Sequence, residues 1–66
     1  MYKVSIIVPA FNEEKNISNA LDDIISSFVR LNIKGEIIVV NDGSTDKTEN
    51  IVKKFISNYN FIKIFN

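Results

Sequence analysis

Acidic side chains and one aromatic ring follow directly on two apolar runs of this chain. Val4-Ser-Ile-Ile-Val8 leads into Pro9-Ala-Phe-Asn-Glu-Glu14, and Ile37-Ile-Val-Val40 leads into Asn41-Asp-Gly-Ser-Thr-Asp46. The Asp42 carboxylate can accept a hydrogen bond from the ring N–H of a nucleobase such as uracil or guanine. The turn Pro9-Ala10-Phe11 offers backbone groups and an aromatic wall to a base, and the two oxygens of Glu13 suit a ribose diol. None of these groups neutralises phosphate. Plainer readings stand beside these. Asp42 can be a turn residue bonding its own backbone. Glu13 and Glu14 can be first-turn acids meeting the positive end of a helix dipole. The residues by themselves leave both pairs of readings open.

Several other chemistries are excluded. With Gly35 and Gly43 as its only glycines, the chain holds neither the G-x-G-x-x-G fingerprint nor the G-x-x-x-x-G-K-[ST] loop that cradle phosphates. It has no His and no Cys, hence no His-based triad, no His general base, no disulfide and no usual zinc site. No residue is assigned a catalytic role or a metal-ligating one.

The elements that must position the two loops are legible in the spacing. Val4 to Val8 is a short, mostly apolar, β-branched run ended by Pro9, as in a strand covered on both faces of a parallel sheet. Asn12 offers a helix N-cap. Ile17, Ala20, Leu21, Ile24, Ile25 and Phe28 then recur every three or four residues, with Leu31 continuing the series and Asp22 and Asp23 on the solvated side. Asn32 to Gly35 supplies the stop, Gly35 being able to take the left-handed conformation. Ile37 to Val40 repeats the buried-strand pattern. Asp46 and Glu49 have capping-box spacing, and Ile51, Val52, Phe55, Ile56 and Tyr59 stripe a second helix. Phe61 to Phe65 reads as a third strand, its lone Lys63 discouraging pairing with strangers. Asp42-Gly43 is also a hairpin signal, but its flanks do not alternate. Phe28, Phe55, Phe61 and Phe65 are expected in the core.

This order predicts an α/β fold, a βαβαβ unit of the three-layer type. Right-handed crossovers give parallel strands in the order 3-2-1, with both helices on one side. Strand 1 then lies at an edge, and the far sheet face is left bare.

At 66 residues there is room for one small domain, residues 1–66. A chain of this size buries only about 60% of its unfolded surface, so its stability is marginal. Its 8 basic and 8 acidic residues cancel without clustering, so no patch exists for nucleic acid. No apolar run approaches the roughly 20 residues that span a bilayer, and the first residues lack the form of a signal peptide. The expected location is cytoplasmic, or peripheral to the inner face of the membrane for a full-length form.

The two long motifs together resemble the N-terminus of family 2 inverting glycosyltransferases with a GT-A fold, in the flavour of polyprenyl-phosphate and dolichyl-phosphate sugar transferases. The resemblance covers essentially the whole chain. It implies that Pro9, Ala10, Phe11 and Glu13 contact the nucleoside of a UDP- or GDP-sugar, and that Asp42 binds the base in a loop shaped by Gly43 and Ser44. Where this chain has Phe11 and Asn41, the family more often has Tyr and Asp. It further implies that the Asp-x-Asp motif holding Mg²⁺ or Mn²⁺, the general base and the acceptor site lie beyond Asn66. The chain thus reads as a truncated, single and incomplete domain, inactive alone and without a cofactor of its own. Two other functions fit the residues: a small non-enzymatic nucleotide-binding module, and an assembly piece that self-associates or pairs its open edge with a complementary chain.

Overall fold

A computed structural model describes residues 2–66. Strands β1 (Val4–Ala10), β2 (Gly35–Asn41) and β3 (Ile62–Phe65) alternate with helices α1 (Ile17–Arg30) and α2 (Thr48–Asn58). The sheet is parallel in the order β1-β2-β3, as the sequence predicts. Val4 pairs with Gly35, Ala10 with Asn41, and Ile37 with Ile62, so β1 and β2 end side by side.

Leu21 and Phe28 of α1, Val52 of α2, and Ile37, Val39 and Ile62 of the sheet share one buried core. Both helices therefore cover the same sheet face, as consecutive right-handed crossovers in one direction require. Of the three-layer arrangement only two layers are present among the described residues, because a layer on the other face needs a crossover in the opposite direction. The uncovered face carries Ile7, Val40 and Phe65 at 57%, 40% and 59% exposure. Phe65, expected in the core, is thus on the bare side: strand alternation puts Ile62 and Ile64 inward and Phe65 outward.

Local expectations change at four points. Asn12 does not cap α1. It adopts a left-handed conformation (φ 51°), and the carbonyl of Glu13 accepts the N–H groups of Asn16 and Ile17 that open the helix. Glu13 and Glu14 accordingly precede the first turn, which holds no acid. Leu31 does not extend the apolar stripe; it lies past the helix end and is 59% exposed. The stop is made by Asn32 (φ 53°), whose N–H reaches the Val29 carbonyl while the Ile33 N–H reaches that of Phe28, a Schellman closure with Asn in the glycine position. Gly35 serves a different purpose. It is buried at the start of β2, where a Cβ would stand 2.7 and 2.9 Å from Cε2 and Cε1 of Phe28. Its lack of a side chain lets the helix end lie on the strand.

Lys63 also behaves differently from an edge guard. It crosses the bare face to pair with Glu36 of β2 at 3.5 Å, and Glu36 accepts the Ser5 hydroxyl of β1 at 2.6 Å. At the open edge Pro9 is the effective guard. The Ala10 carbonyl points inward to the Asp42 N–H, so by alternation the N–H that proline lacks belongs to the outer side.

Candidate functional site

The carboxyl ends of β1 and β2 release the chain into two loops, residues 11–16 and 42–47, on the same edge of the sheet. A side-chain ladder binds them. The Asn12 N–H donates to Ser44 Oγ at 2.9 Å, the Glu13 N–H to Thr48 Oγ1 at 2.8 Å, and the Glu14 N–H to Asp46 Oδ2 at 3.2 Å. In the other direction the Thr45 N–H donates to Asn12 Oδ1 at 2.8 Å. Three consecutive amides of the first loop are thereby satisfied by side chains of the second loop and of the first residue of α2. They are not free donors for a phosphate. The loops form a braced ledge.

Local chemistry explains why this sequence folds so. Asn, Ser, Thr and Asp readily bond nearby backbone groups in place of regular structure, and the stretch from Asn41 to Asp46 consists of them apart from Gly43. Gly43 takes φ 71°, a conformation that costs glycine least. Asp46 accepts both the N–H and the hydroxyl of Thr48 through Oδ1, capping α2 without the reciprocal bond of a capping box. Glu49 instead pairs with Lys53 at 2.8 Å. Burial works to raise the Asp46 carboxyl, but the bonds from Thr48 and from the Glu14 N–H outweigh it and hold the group below its ordinary value of 3.8. Asn41 is buried; its Nδ2 donates to Asn66 Oδ1 at 2.8 Å and its Oδ1 accepts the Ser44 N–H at 3.2 Å. An amide at this position joins the loop to the chain after β3 through a donor that aspartate would not have.

The residues expected to meet a nucleoside fall as follows. Phe11 is 58% exposed at the end of β1, Asp42 and Gly43 are exposed beside it, and Glu13 is half-buried behind them. Pro9 is exposed at the outer edge. Ala10 is buried, and its carbonyl is engaged by the Asp42 N–H at 2.9 Å. The strand-end pairing and the ladder thus bring Phe11, Glu13, Asp42 and Gly43 onto one ledge. Asn12, Thr45 and Thr48 are missing from the sequence-derived set. Their signal was present, as small polar side chains in loops, but their partners lie 32 to 35 residues away. A concavity of about 670 Å³ lies at the opposite end between Phe28, Gly35 and Phe61, away from the ledge.

Among the described residues no three acidic side chains gather as metal ligands would. The groups present thus do not fit the divalent ion that the resemblance implies. Nor is any helix among the described residues long and apolar enough to cross a membrane.

The chain is 44% identical over 62 residues to a probable glycosyltransferase of Bacillus subtilis, covering 94% of this chain and 14% of the relative. It is 40% identical over 68 residues to a dolichyl-phosphate beta-glucosyltransferase of Trichomonas vaginalis, covering 96% and 21%. A cholesterol galactosyltransferase of Borreliella burgdorferi is 41% identical over 64 residues, covering 97% and 17%. The chain therefore spans between a seventh and about a fifth of the length of these relatives. The sequence model described as glycosyl transferase family 2 matches residues 5–66. With a parallel βαβαβ unit and a match over nearly its whole length, the chain belongs to glycosyl transferase family 2.

Proposed function

We propose that this chain is the nucleotide-sugar-binding segment of an inverting glycosyltransferase, contributing to a donor site for a UDP- or GDP-sugar. Asp42 accepts from the ring N–H of the base, Phe11 stacks beside it, and the strand-end backbone of Pro9 and Ala10 forms the floor. Glu13 accepts from the ribose hydroxyls, and Gly43 leaves room for the ligand beside Asp42. The observation that supports this reading most directly is the ladder between the loops. It braces the two loops that carry Phe11, Glu13 and Asp42 at the carboxyl edge of a parallel sheet, where open α/β folds bind ligands.

In the reaction of the full machinery a base deprotonates an acceptor hydroxyl or phosphate, which displaces the nucleoside diphosphate from the anomeric carbon in one step with inversion. The residues of this chain take the binding share of that work. They orient base and ribose so that the sugar and its diphosphate extend past the ledge. The amides of Asn12 to Glu14 are occupied, and Phe11, Glu13 and Asp42 carry no positive charge for the diphosphate. With only this binding share of the work, the isolated chain is expected to transfer no sugar.

The test is an amide chemical-shift titration of the chain with UDP and GDP. Affinity is expected at about 1 mM or weaker, roughly 4 kcal/mol, and Asp42→Ala is expected to abolish the shifts. Shifts that survive Asp42→Ala refute the base contact. Metal-dependent release of nucleoside diphosphate from a sugar nucleotide by the pure chain refutes the inactivity.

A further inference from the structure

Thr48 is a polar residue with no exposed surface, and it sits where the ladder meets helix α2. Its hydroxyl has one proton and uses it on Asp46 Oδ1; its oxygen accepts the Glu13 N–H at 2.8 Å. The second Asp46 oxygen takes the next amide, that of Glu14, at 3.2 Å. Asp46 of the second loop and Thr48 at the start of α2 thus grip two consecutive amides of the first loop. The Glu13 carboxylate has only a long contact of its own, 3.5 Å to Asn16 Nδ2, so its direction is set mainly by the backbone that Thr48 and Asp46 hold. Packing alone would be served as well by valine, which has nearly the shape of threonine. The hydroxyl at this buried place is explained by the amide it holds.

We propose that Thr48, backed by Asp46, is a positioning residue for sugar recognition: by fixing the Glu13 amide it aims the Glu13 carboxylate at the ribose 2′ and 3′ hydroxyls of the bound nucleoside diphosphate. This rests on the reading of Glu13 as the ribose contact. In Thr48→Val the Glu13 N–H loses its acceptor, and a half-buried amide without a partner turns toward water. The carboxylate turns with it. Selectivity for ribose then falls while the base contact at Asp42, on the other loop, persists.

The experiment is an amide-shift titration of the chain with UDP and GDP, each beside its 2′,3′-dideoxy counterpart. The wild-type chain, Thr48→Val, Thr48→Ser, Thr48→Cys and Glu13→Gln are compared. The wild-type chain is expected to prefer the ribose form by about tenfold, the size of one hydrogen bond to a charged group. Thr48→Val is expected to reduce that preference to about twofold or less, with affinity for the dideoxy form unchanged, and Thr48→Ser to restore it. A merely structural role would weaken both forms together. A Thr48→Val chain with a dispersed spectrum and an intact ribose preference overturns the proposal. Should Thr48→Val fail to fold, Thr48→Cys, whose sulfur is only a weak acceptor for the Glu13 N–H, takes its place, and an intact preference there overturns it equally. A wild-type preference that survives Glu13→Gln, or none in the wild-type chain, refutes the Glu13 reading itself. That failure is distinct, because it is visible without any change at Thr48.

Discussion

The carboxyl edge of the sheet and its uncovered face are built to different standards. At the edge, the loop amides from Asn12 to Glu14 each meet a side-chain acceptor from the facing loop or the start of α2. On the uncovered face Ile7, Val40 and Phe65 stand in solvent, and a polar network, Ser5–Glu36–Lys63, ties the strands together. Polar bonds are directional and define a unique arrangement; apolar area is not directional and accepts whatever covers it. The site is therefore specified by the chain itself, while the bare face is specified only as something to be covered.

A pair of mirror substitutions can break this comparison. Thr48→Val and Val40→Thr exchange the same atoms in opposite directions, one on the ledge and one on the bare face. The first leaves the Glu13 N–H without its buried acceptor and is expected to lower stability by about 1–3 kcal/mol in urea unfolding. The second, at a half-open surface position, is expected to stay within about 0.5 kcal/mol of wild type. Equal losses for the two would erase the distinction.

Association sharpens it. Exposed apolar surface of this extent marks a contact surface, so the wild-type chain is expected to self-associate in analytical ultracentrifugation. Ile7→Lys combined with Phe65→Lys is expected to weaken association by about tenfold or more, since burying one such side chain contributes roughly 1.5–3 kcal/mol. A wild-type chain that sediments as a sharp monomer, with slow amide exchange at Ile6 and Ile7, contradicts the picture.

The smallest effect is that of pH, and it compares the two polar networks directly. Glu36 is held below its ordinary value of 4.5, first by the Ser5 hydroxyl and then, against burial, by the charge of Lys63. Asp46 is held below 3.8 by its bonds from Thr48 and Glu14, which outweigh burial. Both carboxyls are depressed in the folded chain, so both contribute stability that is present above those ordinary values and lost as pH falls through the lower folded ones. Acid unfolding followed by circular dichroism is expected to steepen below about pH 4. Ser5→Ala is expected to soften the loss due to Glu36 and to leave that of Asp46 unchanged.

The fold was readable because it rests on periodicity. The solid apolar runs at Ile6 and Ile37 and the three-to-four spacing from Ile17 to Phe28 are properties of neighbouring residues. The strand order follows from them by the handedness of crossovers. The ledge was readable in part. Asp42, Gly43 and Ser44 announced a loop, and a cap was visible in Asp46. What escaped was the use of these groups across the gap between loops. Asn12 looked like a helix cap because asparagine before a helical stripe usually is one. Here its side chain has a better use on Thr45, and the helix begins later. Gly35 was read for its backbone freedom, yet its role is steric and depends on Phe28, a residue of another element. Each of these readings turned on a partner distant in sequence, which no local pattern encodes.

The ladder also has a kinetic consequence. Its bonds join residues 32 to 35 positions apart, so none can form until β1 and β2 have been brought together over the whole α1 crossover. Closing a loop of that length has an entropic cost that local helix formation avoids, and contacts of large sequence separation slow folding. The helices can form early, in isolation from one another; the ledge assembles only after the sheet. Its formation therefore reports the end of folding. In a refolding experiment, protection of the Asn12 to Glu14 amides from hydrogen exchange should rise last, after helical ellipticity has recovered.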